Sequence, residues 1–396
     1  MPPAFREMTI RHYSFMIGGL KEVAKELKQL NINFHLLSGF PPSCLPKLVV
    51  SLDVGLLVTD FCPLRESRSW TNALQKSVGK GKTHVAVHQV DAHNVVPVWV
   101  ASDKEEWAAY TIRPKITKRL DEYLTPFPPL VRHPHHSKSS PSNPDFDGVL
   151  AGLKIDSDGW GVTSLNDTFS PGTQGGLSIL QAFVSERLSD YGSNRNNPNA
   201  DALSDLSPWI RFGQVSMQTA ALYVKSKGKR QKEGVDAFLE EGIVRRELAE
   251  NFCYYNPHYD SIKGAADWAR KTLDDHRKDP REYVYSRQQL EKGRTHDDLW
   301  NAAQLQLVQE GKMHGFLRMY WAKKVLEWTN NPETALREVL RLNDRFSLDG
   351  NSPGGFVGAM WSVAGVHDRA WAERPVFGKI RYSYSESVLV TDDHLR

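Results

Sequence analysis

The residues with the clearest capacity for chemistry are aromatic and lie in the second half of the chain. The sequence has eleven tryptophans, most of them after residue 200. Trp321 and Trp328 are seven residues apart, which on a helix places them on one face, about 10 Å apart along the axis. Two indoles at this spacing could carry an electron in hops from the surface to a buried redox centre. They could equally be hydrophobic core anchors, and the spacing alone leaves both interpretations open.

A charged segment at 238–256 (FLEEGIVRRELAENFCYYN) is the second candidate. Glu241, Arg245 and Leu248 follow one another at the spacing of a single helical face. Such a face is usually only solvated. A glutamate beside paired arginines and aromatic residues could also contact a base and its phosphate together.

Two further segments offer polar groups to a ligand. In 204–214 (SDLSPWIRFGQ), serines precede a proline at a predicted helix start, and their hydroxyls and free N–H groups could hold phosphate. The alternative is an ordinary helix cap. The turn-rich segment 342–355 could line a cavity or be a surface loop. The sequence has no GxGxxG or GxxxxGK[ST] motif, so a nucleotide would have to be bound in another way.

The elements that position these residues divide the chain into two parts. Apolar residues from Leu20 to Leu30 recur at helical spacing, with Asn31 at the expected end. Strands are predicted at 33–37, 54–60 and 83–90, the second as a buried parallel strand. Helices that alternate with strands predict a parallel sheet with helices on its faces. We expect such a domain to begin with a strand, and the sequence already predicts a helix at residue 10.

The second part is predicted to be helical. Residues 125–147 are rich in Pro, Ser and His, which indicates a linker, and we interpret His133, His135 and His136 as solvated rather than metal-binding. Seven segments then show helical periodicity: 173–191, 213–227, 232–253, 260–276, 296–309, 312–329 and 332–344. The predicted architecture is an incomplete Rossmann-like α/β domain at 1–124, a linker at 125–172, a large all-helical domain at 173–381 and a tail at 382–396.

Composition excludes several classes of protein. The 396 residues are 40% hydrophobic and 24% charged, as in ordinary globular proteins. No run of 18 apolar residues is present, so no membrane span is expected. Three well-separated cysteines favour neither a disulfide framework nor a zinc site and indicate a reducing, intracellular compartment. The net charge of +3 permits nucleic-acid binding only through a local basic patch.

Taken together, these segments resemble the class II cyclobutane pyrimidine dimer (CPD) photolyases. The matching strings are TDFCPLR, YGSNR, LSPWIRFGQ, FLEEGIVRRELAENFCYYNPHYD, LWNAAQ, GKMHGFLRMYWAKK, LNDRFSLDG and GVHDRAW. They occur in the family's order between about residue 8 and Arg381. Each string alone is weak, but chance agreement of all of them is implausible.

The resemblance implies an FAD folded into a U inside the helical domain. It places Asn343 near flavin N5, where its amide can hydrogen-bond the reduced ring. The other cofactor-binding residues that it implies are Tyr191, Ser204, Asp205, Leu206 and Ser207 at the phosphates and ribityl chain, and Asp349, Gly350 and Asn351 in the loop beside the ring and ribose. The α/β domain of the family holds an antenna chromophore, a deazaflavin in some members. The strand and helix that begin that domain in the family are missing here, so a bound deazaflavin-type antenna stays an open alternative.

The activity that the resemblance implies is light-driven repair of pyrimidine dimers in DNA. Excited reduced FAD gives an electron to a dimer flipped out of the helix, the cyclobutane ring splits, and the electron returns. Trp300, Trp321 and Trp328 match the chain of residues that reduces the flavin in light. Glu241 matches the acid that hydrogen-bonds the dimer. The remaining DNA-binding set comprises Arg195, Arg245, Met319, Trp361 and Arg381.

The expected partner is UV-damaged double-stranded DNA, bound by a monomer, with the nucleus as the expected compartment. The sequence departs from the family at Arg245, where some microbial members have tryptophan, and at Ala202 and Ser204, where relatives often have more hydroxyls. After Arg381 the tail is acidic, whereas that of the family is basic. Two alternatives stay open: a cryptochrome-like flavin photoreceptor without repair activity, and an inactive truncated isoform.

Overall fold

Helices dominate the structure, a computed structural model that describes residues 6–79, 85–135, 144–153, 155 and 169–382. Its described strands form one parallel two-stranded sheet near the N-terminus. The predicted fold class, a partial parallel-sheet domain followed by a large helical domain, is confirmed. No described helix is long and apolar enough to cross a membrane.

The N-terminal part contains the sheet and seven helices. Its elements are α1 (Ile10–Gln29), α2 (Pro41–Ser51), β1 (Leu56–Asp60), α3 (Arg65–Val78), β2 (Ala86–Val90), α4 (Val98–Ala101), α5 (Ala109–Thr117), α6 (Leu120–Tyr123) and α7 (Phe146–Ala151). The predicted strand at 33–37 is wrong, because these residues pair with no described strand. The predicted end of the first helix is close to that of α1, and Asn31 has a left-handed φ of 61°.

The sheet is exposed on one face. β1 pairs with β2 in parallel register from Leu56 opposite Ala86 to Asp60 opposite Val90. Helices α2 and α3 pack on the other face, where Leu57 and Val87 contact a small core. Leu56 and Val58 are 48% and 56% exposed, so the prediction of a strand buried on both faces is wrong for the described residues.

The C-terminal part is built of twelve α-helices within the described residues. They are α8 (Thr173–Ala182), α9 (Leu188–Asn194), α10 (Ser207–Arg211), α11 (Met217–Lys227), α12 (Lys232–Leu239), α13 (Arg246–Tyr255), α14 (Asp267–Asp275), α15 (Arg287–Glu291), α16 (Asp298–Glu310), α17 (Gly315–Glu327), α18 (Pro332–Phe346) and α19 (Pro353–Ala364). A 3₁₀ turn, Ile262–Gly264, precedes α14.

Two π-helical segments interrupt the longest predicted helices. Phe183–Arg187 separates α8 from α9, and Glu240–Arg245 separates α12 from α13. A π-turn adds a residue to the helical repeat and therefore rotates the side chains that follow it. Glu241 and Arg245 have different charged partners, Arg195 (3.6 Å) and Glu240 (3.2 Å). The prediction of one shared face assumed a regular α-helix and stays a prediction.

Two large hydrophobic cores hold the molecule together. One lies among α13, α14 and α16–α19. The other joins the helices around α8–α12 to the N-terminal part, for example through Phe15 of α1, whose ring packs edge-on against Trp209 (5.5 Å). The predicted domain limits stay a prediction. Part of the predicted linker (His136 included) and most of the tail lie outside the described residues.

Glu247 links α13 to the segment after β2 and leads to a prediction about pH. Its Oε1 accepts hydrogen bonds from the backbone N–H groups of Val95 (2.7 Å) and Val96 (3.3 Å). Burial raises the pKa of Glu247 to about 8, against the opposing effect of these hydrogen bonds, and raises that of Glu250 to about 7. Both carboxyls therefore take up protons on folding.

Glu247 and Glu250 should contribute a free energy of unfolding that falls as the pH rises from about 5 to about 8, because only the folded state holds these protons. Glu247→Gln should reduce this loss by a few kcal/mol, at about 1.4 kcal/mol per pKa unit. Urea denaturation across this range tests the expectation, with Glu250→Gln as the matched variant. A Glu247→Gln protein whose stability changes with pH as that of the wild type does would contradict it.

Candidate functional site

A cavity of about 470 Å³ lies where α10, the π-segment before α13 and the loop before α19 meet. This volume is in the range of small-molecule and cofactor sites, about 300–1,000 Å³. Seven of the residues predicted from sequence line it: Tyr191, Ser204, Leu206, Ser207, Glu241, Asp349 and Asn351. The structure thus brings together three segments far apart in sequence.

A smaller cavity of about 110 Å³ adjoins the first. Arg318, Gly354 and Gly355 line both cavities. Met319, Trp321 and Asn343 line the smaller one, so it contains three more of the predicted residues. The two cavities therefore connect the serine-rich segment to the tryptophans.

Three glycines of α19 form a wall of the cavities: Gly354 and Gly355 line both, and Gly358 lines the smaller one. A Cβ atom added to Gly354 or Gly358 would meet no atom within 4 Å, so both glycines face open space. At Gly355 an added Cβ would lie 2.9 Å from Nδ2 of Asn343. Glycine at 355 lets the backbone approach this amide closely.

Arg318 and Asp349 form the polar centre of the site. Nη1 of Arg318 donates to Oδ1 of Asp349 (3.2 Å), which also accepts from the hydroxyl of Ser347 (2.6 Å). Burial by itself raises the pKa of Asp349. The charge of Arg318 and the hydroxyls of Ser347 and Ser207 outweigh that effect and lower the pKa, so the carboxylate stays ionised.

Three buried polar atoms of residues at the cavity lack hydrogen-bond partners among the described residues. They are Oε2 of Glu250, the donor Nε of Arg318 and the acceptor Oδ1 of Asn351. Asn351 itself is fixed, with a left-handed φ of 55° and its N–H donating to Oδ1 of Asp344 (2.8 Å). Buried polar groups normally pair, so this donor and this acceptor suit a polar ligand.

Two predicted cofactor residues do not line the cavities. Asp205 has a left-handed φ of 59° and is paired with Arg187 (2.9 Å) and with Lys312. Gly350 accepts a hydrogen bond from Nε of Arg211 (2.9 Å) through its carbonyl. Both residues support the cavity wall from outside.

Three buried indoles lead away from the smaller cavity. The ring of Trp321, at the cavity, stacks on that of Trp300 (6.1 Å between centroids, 7° between planes). Trp328 meets Trp300 edge-on at 5.5 Å. Nε1 of Trp300 donates to the carbonyl of Trp321 (2.9 Å), which fixes the stack. The link between Trp321 and Trp328 therefore passes through Trp300 of the neighbouring helix.

The outer end of this series lies beneath other rings. Trp328 is only 1% exposed, so it does not reach the surface as the sequence interpretation of surface-to-centre hopping assumed. Tyr285 and His296 each lie 5.3 Å from its ring. Tyr283, which stacks on His296 at 3.8 Å, is half-exposed.

The arginines among the predicted DNA-binding residues fall into two groups by their contacts. Arg195 lies beside Glu241, and the exposed Arg245 is paired with Glu240. In the second group, Arg381 lies over the rings of Trp361 (5.7 Å) and Trp371 (4.7 Å). Arg195, Arg245 and Arg381 are not among the described residues that line either cavity.

Sequence reasoning missed several residues that line the cavities. Arg211, Arg246 and Arg318 stand within strings that were recognised, but nothing in their spacing marks them as cavity residues. Glu250 and His93 are brought there only by the packing of α13 on the segment after β2. Burial lowers the pKa of His93 to about 4, which leaves its ring neutral. The Gly354–Gly355 pair was the one available signal, because adjacent glycines allow close approach.

Comparison with known proteins decides the family. The family model for DNA photolyase matches residues 2–133. The deoxyribodipyrimidine photo-lyase of Potorous tridactylus is 54% identical over 382 residues, which are 96% of this chain and 70% of the relative. The chain belongs to the DNA photolyase family. The photolyase of Oryza sativa subsp. japonica is 48% identical and covers 94% of this chain, with 74% of the relative aligned.

The fold agrees with solved structures of photolyases. A bacterial class III photolyase from Agrobacterium tumefaciens matches with a TM-score of 0.74 at 19% identity, covering 92% of this chain and 73% of that one. At this identity the likeness concerns the fold alone. Photolyases and cryptochromes generally bind FAD. The glycine wall, the unpaired atoms of Arg318 and Asn351, and the serine hydroxyls fit such a polar, partly aromatic cofactor.

Proposed function

We propose that this protein is a class II photolyase that uses light and reduced FAD to split cyclobutane pyrimidine dimers in DNA. One observation carries the proposal: of two adjoining cavities that share Arg318, Gly354 and Gly355, the larger is lined by Glu241 and the smaller by Trp321, the first of three touching indoles. A dimer-binding acid and an electron path thus meet at the same site.

The chain's residues would hold the cofactor from three sides. Ser204 and Ser207 offer hydroxyls to its phosphates and ribityl chain, while Asn343 offers its amide to the ring. Arg318 keeps Asp349 ionised and has an Nε donor to spare. When bound, FAD supplies light absorption and the transferred electron. The antenna chromophore carried by some members forms no part of the proposal.

The dimer side depends on Glu241, Met319 and Trp361. Glu241 would accept or donate a hydrogen bond at the pyrimidine edge, with Arg195 (3.6 Å) holding its carboxylate at the opening. Met319 and Trp361 would pack on the flipped bases. Arg195, Arg245 and Arg381 would contact phosphates or the opened duplex, so binding should weaken with salt and depend little on sequence. We expect a monomer to suffice, and the nucleus is the proposed compartment.

The test of this function is light-dependent loss of dimers. Purified protein with bound flavin is mixed with an irradiated oligonucleotide, and dimers are counted after blue light and after darkness. Repair in light alone supports the proposal. Bound flavin without repair would support the photoreceptor alternative, and a colourless, aggregating preparation the inactive isoform.

Glu241→Ala should weaken binding of dimer-containing DNA by about tenfold or more, the effect of losing a hydrogen bond to a charged group. Its flavin spectrum should not change. Asp236→Ala is the matched control, since it removes one negative charge from the adjacent helix α12, where Asp236 pairs with Lys232 (2.5 Å). Dimer affinity equal to that of the control would remove Glu241 from the site.

A further inference from the structure

Lys323 is a buried cation that no part of the proposed reaction uses. It lies on α17 and is 1% exposed, which is rare for a lysine without an acidic partner. Nζ donates to the carbonyl of Ser362 on α19 (3.2 Å). Among the described residues it forms no salt bridge. An ammonium has three donors, so one carbonyl does not account for its burial.

The face of the Trp361 ring is the other partner of Lys323. Nζ lies 4.5 Å from the centroid of this ring, within the distance of a cation–π contact. The same ring is approached by Arg381 at 5.7 Å, and Arg381 in turn lies 4.7 Å from Trp371. Cations and indoles therefore alternate from the buried Lys323 to the surface.

This arrangement gives Lys323 a task that an apolar residue could not perform. A methionine would fill the same space without the cost of burying a charge, and such replacements are often neutral or stabilising. What only the cation provides is attraction to the face of the indole. That attraction restricts the rotation of a half-buried ring at the end of α19.

We propose that Lys323 is a positioning residue that holds the Trp361 ring in the orientation needed to pack against the flipped dimer. The inference rests on the proposed function, since it assumes that Trp361 contacts the dimer. Lys323 itself touches neither the dimer nor the cofactor in this account. Its effect should appear in dimer affinity and leave flavin binding unchanged.

The charged surroundings of Lys323 predict how this effect depends on pH. Burial lowers the pKa of Lys323 to about 7, Asp368 opposes the shift and Arg381 adds to it. The facing helix α19 has no ionisable side chain, and no charged group of α16 or α18 shifts this pKa. As the pH rises through about 7 the ammonium becomes a neutral amine. The attraction to Trp361 is then lost, and dimer affinity should fall.

The experiment compares wild-type protein with K323M in darkness, using oligonucleotides with and without one dimer. From about pH 6 to about pH 8.5, the wild-type preference for the dimer should fall about three- to tenfold, the range expected of a partly desolvated cation–π contact. At both pH values K323M should prefer the dimer only as much as the wild type does at high pH. Its preference should not depend on pH, and its melting temperature should be unchanged or higher. K271M is the control, because it removes a lysine from α14, which also packs on α19.

Several outcomes decide the inference. A K323M variant with the wild-type preference at low pH would overturn it, as would a loss of preference that follows a loss of stability. If K323M does not fold, the wild-type protein decides the matter: a preference for the dimer that does not fall as the pH rises would overturn the inference. Wild-type protein that neither prefers nor repairs the dimer would instead contradict the proposed function.

Discussion

Trp321→Phe is expected to abolish nearly all light-driven reduction of the bound flavin. Trp321 is the indole that lines the smaller cavity. Among the described residues, Trp300 does not line that cavity but stacks on Trp321. A phenyl ring is much harder to oxidise than an indole, so electron transfer stops at the first step. The measurement is the loss of oxidised-flavin absorbance under blue light with an external reductant.

The control for this variant is Trp209→Phe. Trp209 is equally buried but belongs to the other hydrophobic core, outside the series of three indoles. Chemically reduced Trp321→Phe should still repair dimers, since the series serves only to reduce the flavin. Photoreduction at the wild-type rate would remove Trp321 from the path, and loss of repair by the reduced variant would show that it has another role.

Gly354→Leu is expected to weaken flavin binding by about 10- to 100-fold. The new side chain would enter the open space shared by the two cavities and overlap the ligand, at a cost of the size found for overpacked cores. The fold should survive, because Gly354 lies in the first turn of α19 and leucine favours helix. The flavin-to-protein absorbance ratio and a titration of apoprotein with FAD measure the effect.

Gly55→Leu is the matched control. Gly55 also faces open space, but it precedes β1 and lines neither cavity. The Gly55→Leu protein should bind FAD with the affinity of the wild type. A Gly354→Leu protein that is folded and retains stoichiometric flavin would show that the cofactor lies elsewhere.

Sequence predicted the large elements because hydrophobic periodicity is a local property. Helices α16, α17 and α18 begin and end within a few residues of the predicted limits. The strand at 33–37 failed because a strand requires a pairing neighbour, which composition does not reveal. The π-segments at 183–187 and 240–245 were missed for a related reason: their apolar pattern resembles that of an α-helix, and only the backbone hydrogen bonds distinguish them.

The resemblance predicted which residues form the site but not how they are arranged. The sequence named Asp349 and Asn351, yet their orientation depends on Arg318 and Asp344, which reach them from other helices. Spacing suggested that Trp321 and Trp328 share a face, whereas the structure links them through Trp300. The contacts of Arg318 with Asp349 and of Trp300 with Trp321 join residues distant in sequence, so no local pattern encodes them.

The central claim is tested most directly by one turnover with reduced protein. Flavin-loaded wild type is reduced chemically, mixed with an equimolar dimer-containing oligonucleotide without oxygen, and exposed to a light pulse. We predict that dimers disappear in light and not in darkness, and that the flavin is as reduced afterwards as before, because the electron returns. Dimers that persist while the reduced flavin absorbs the light would contradict the account.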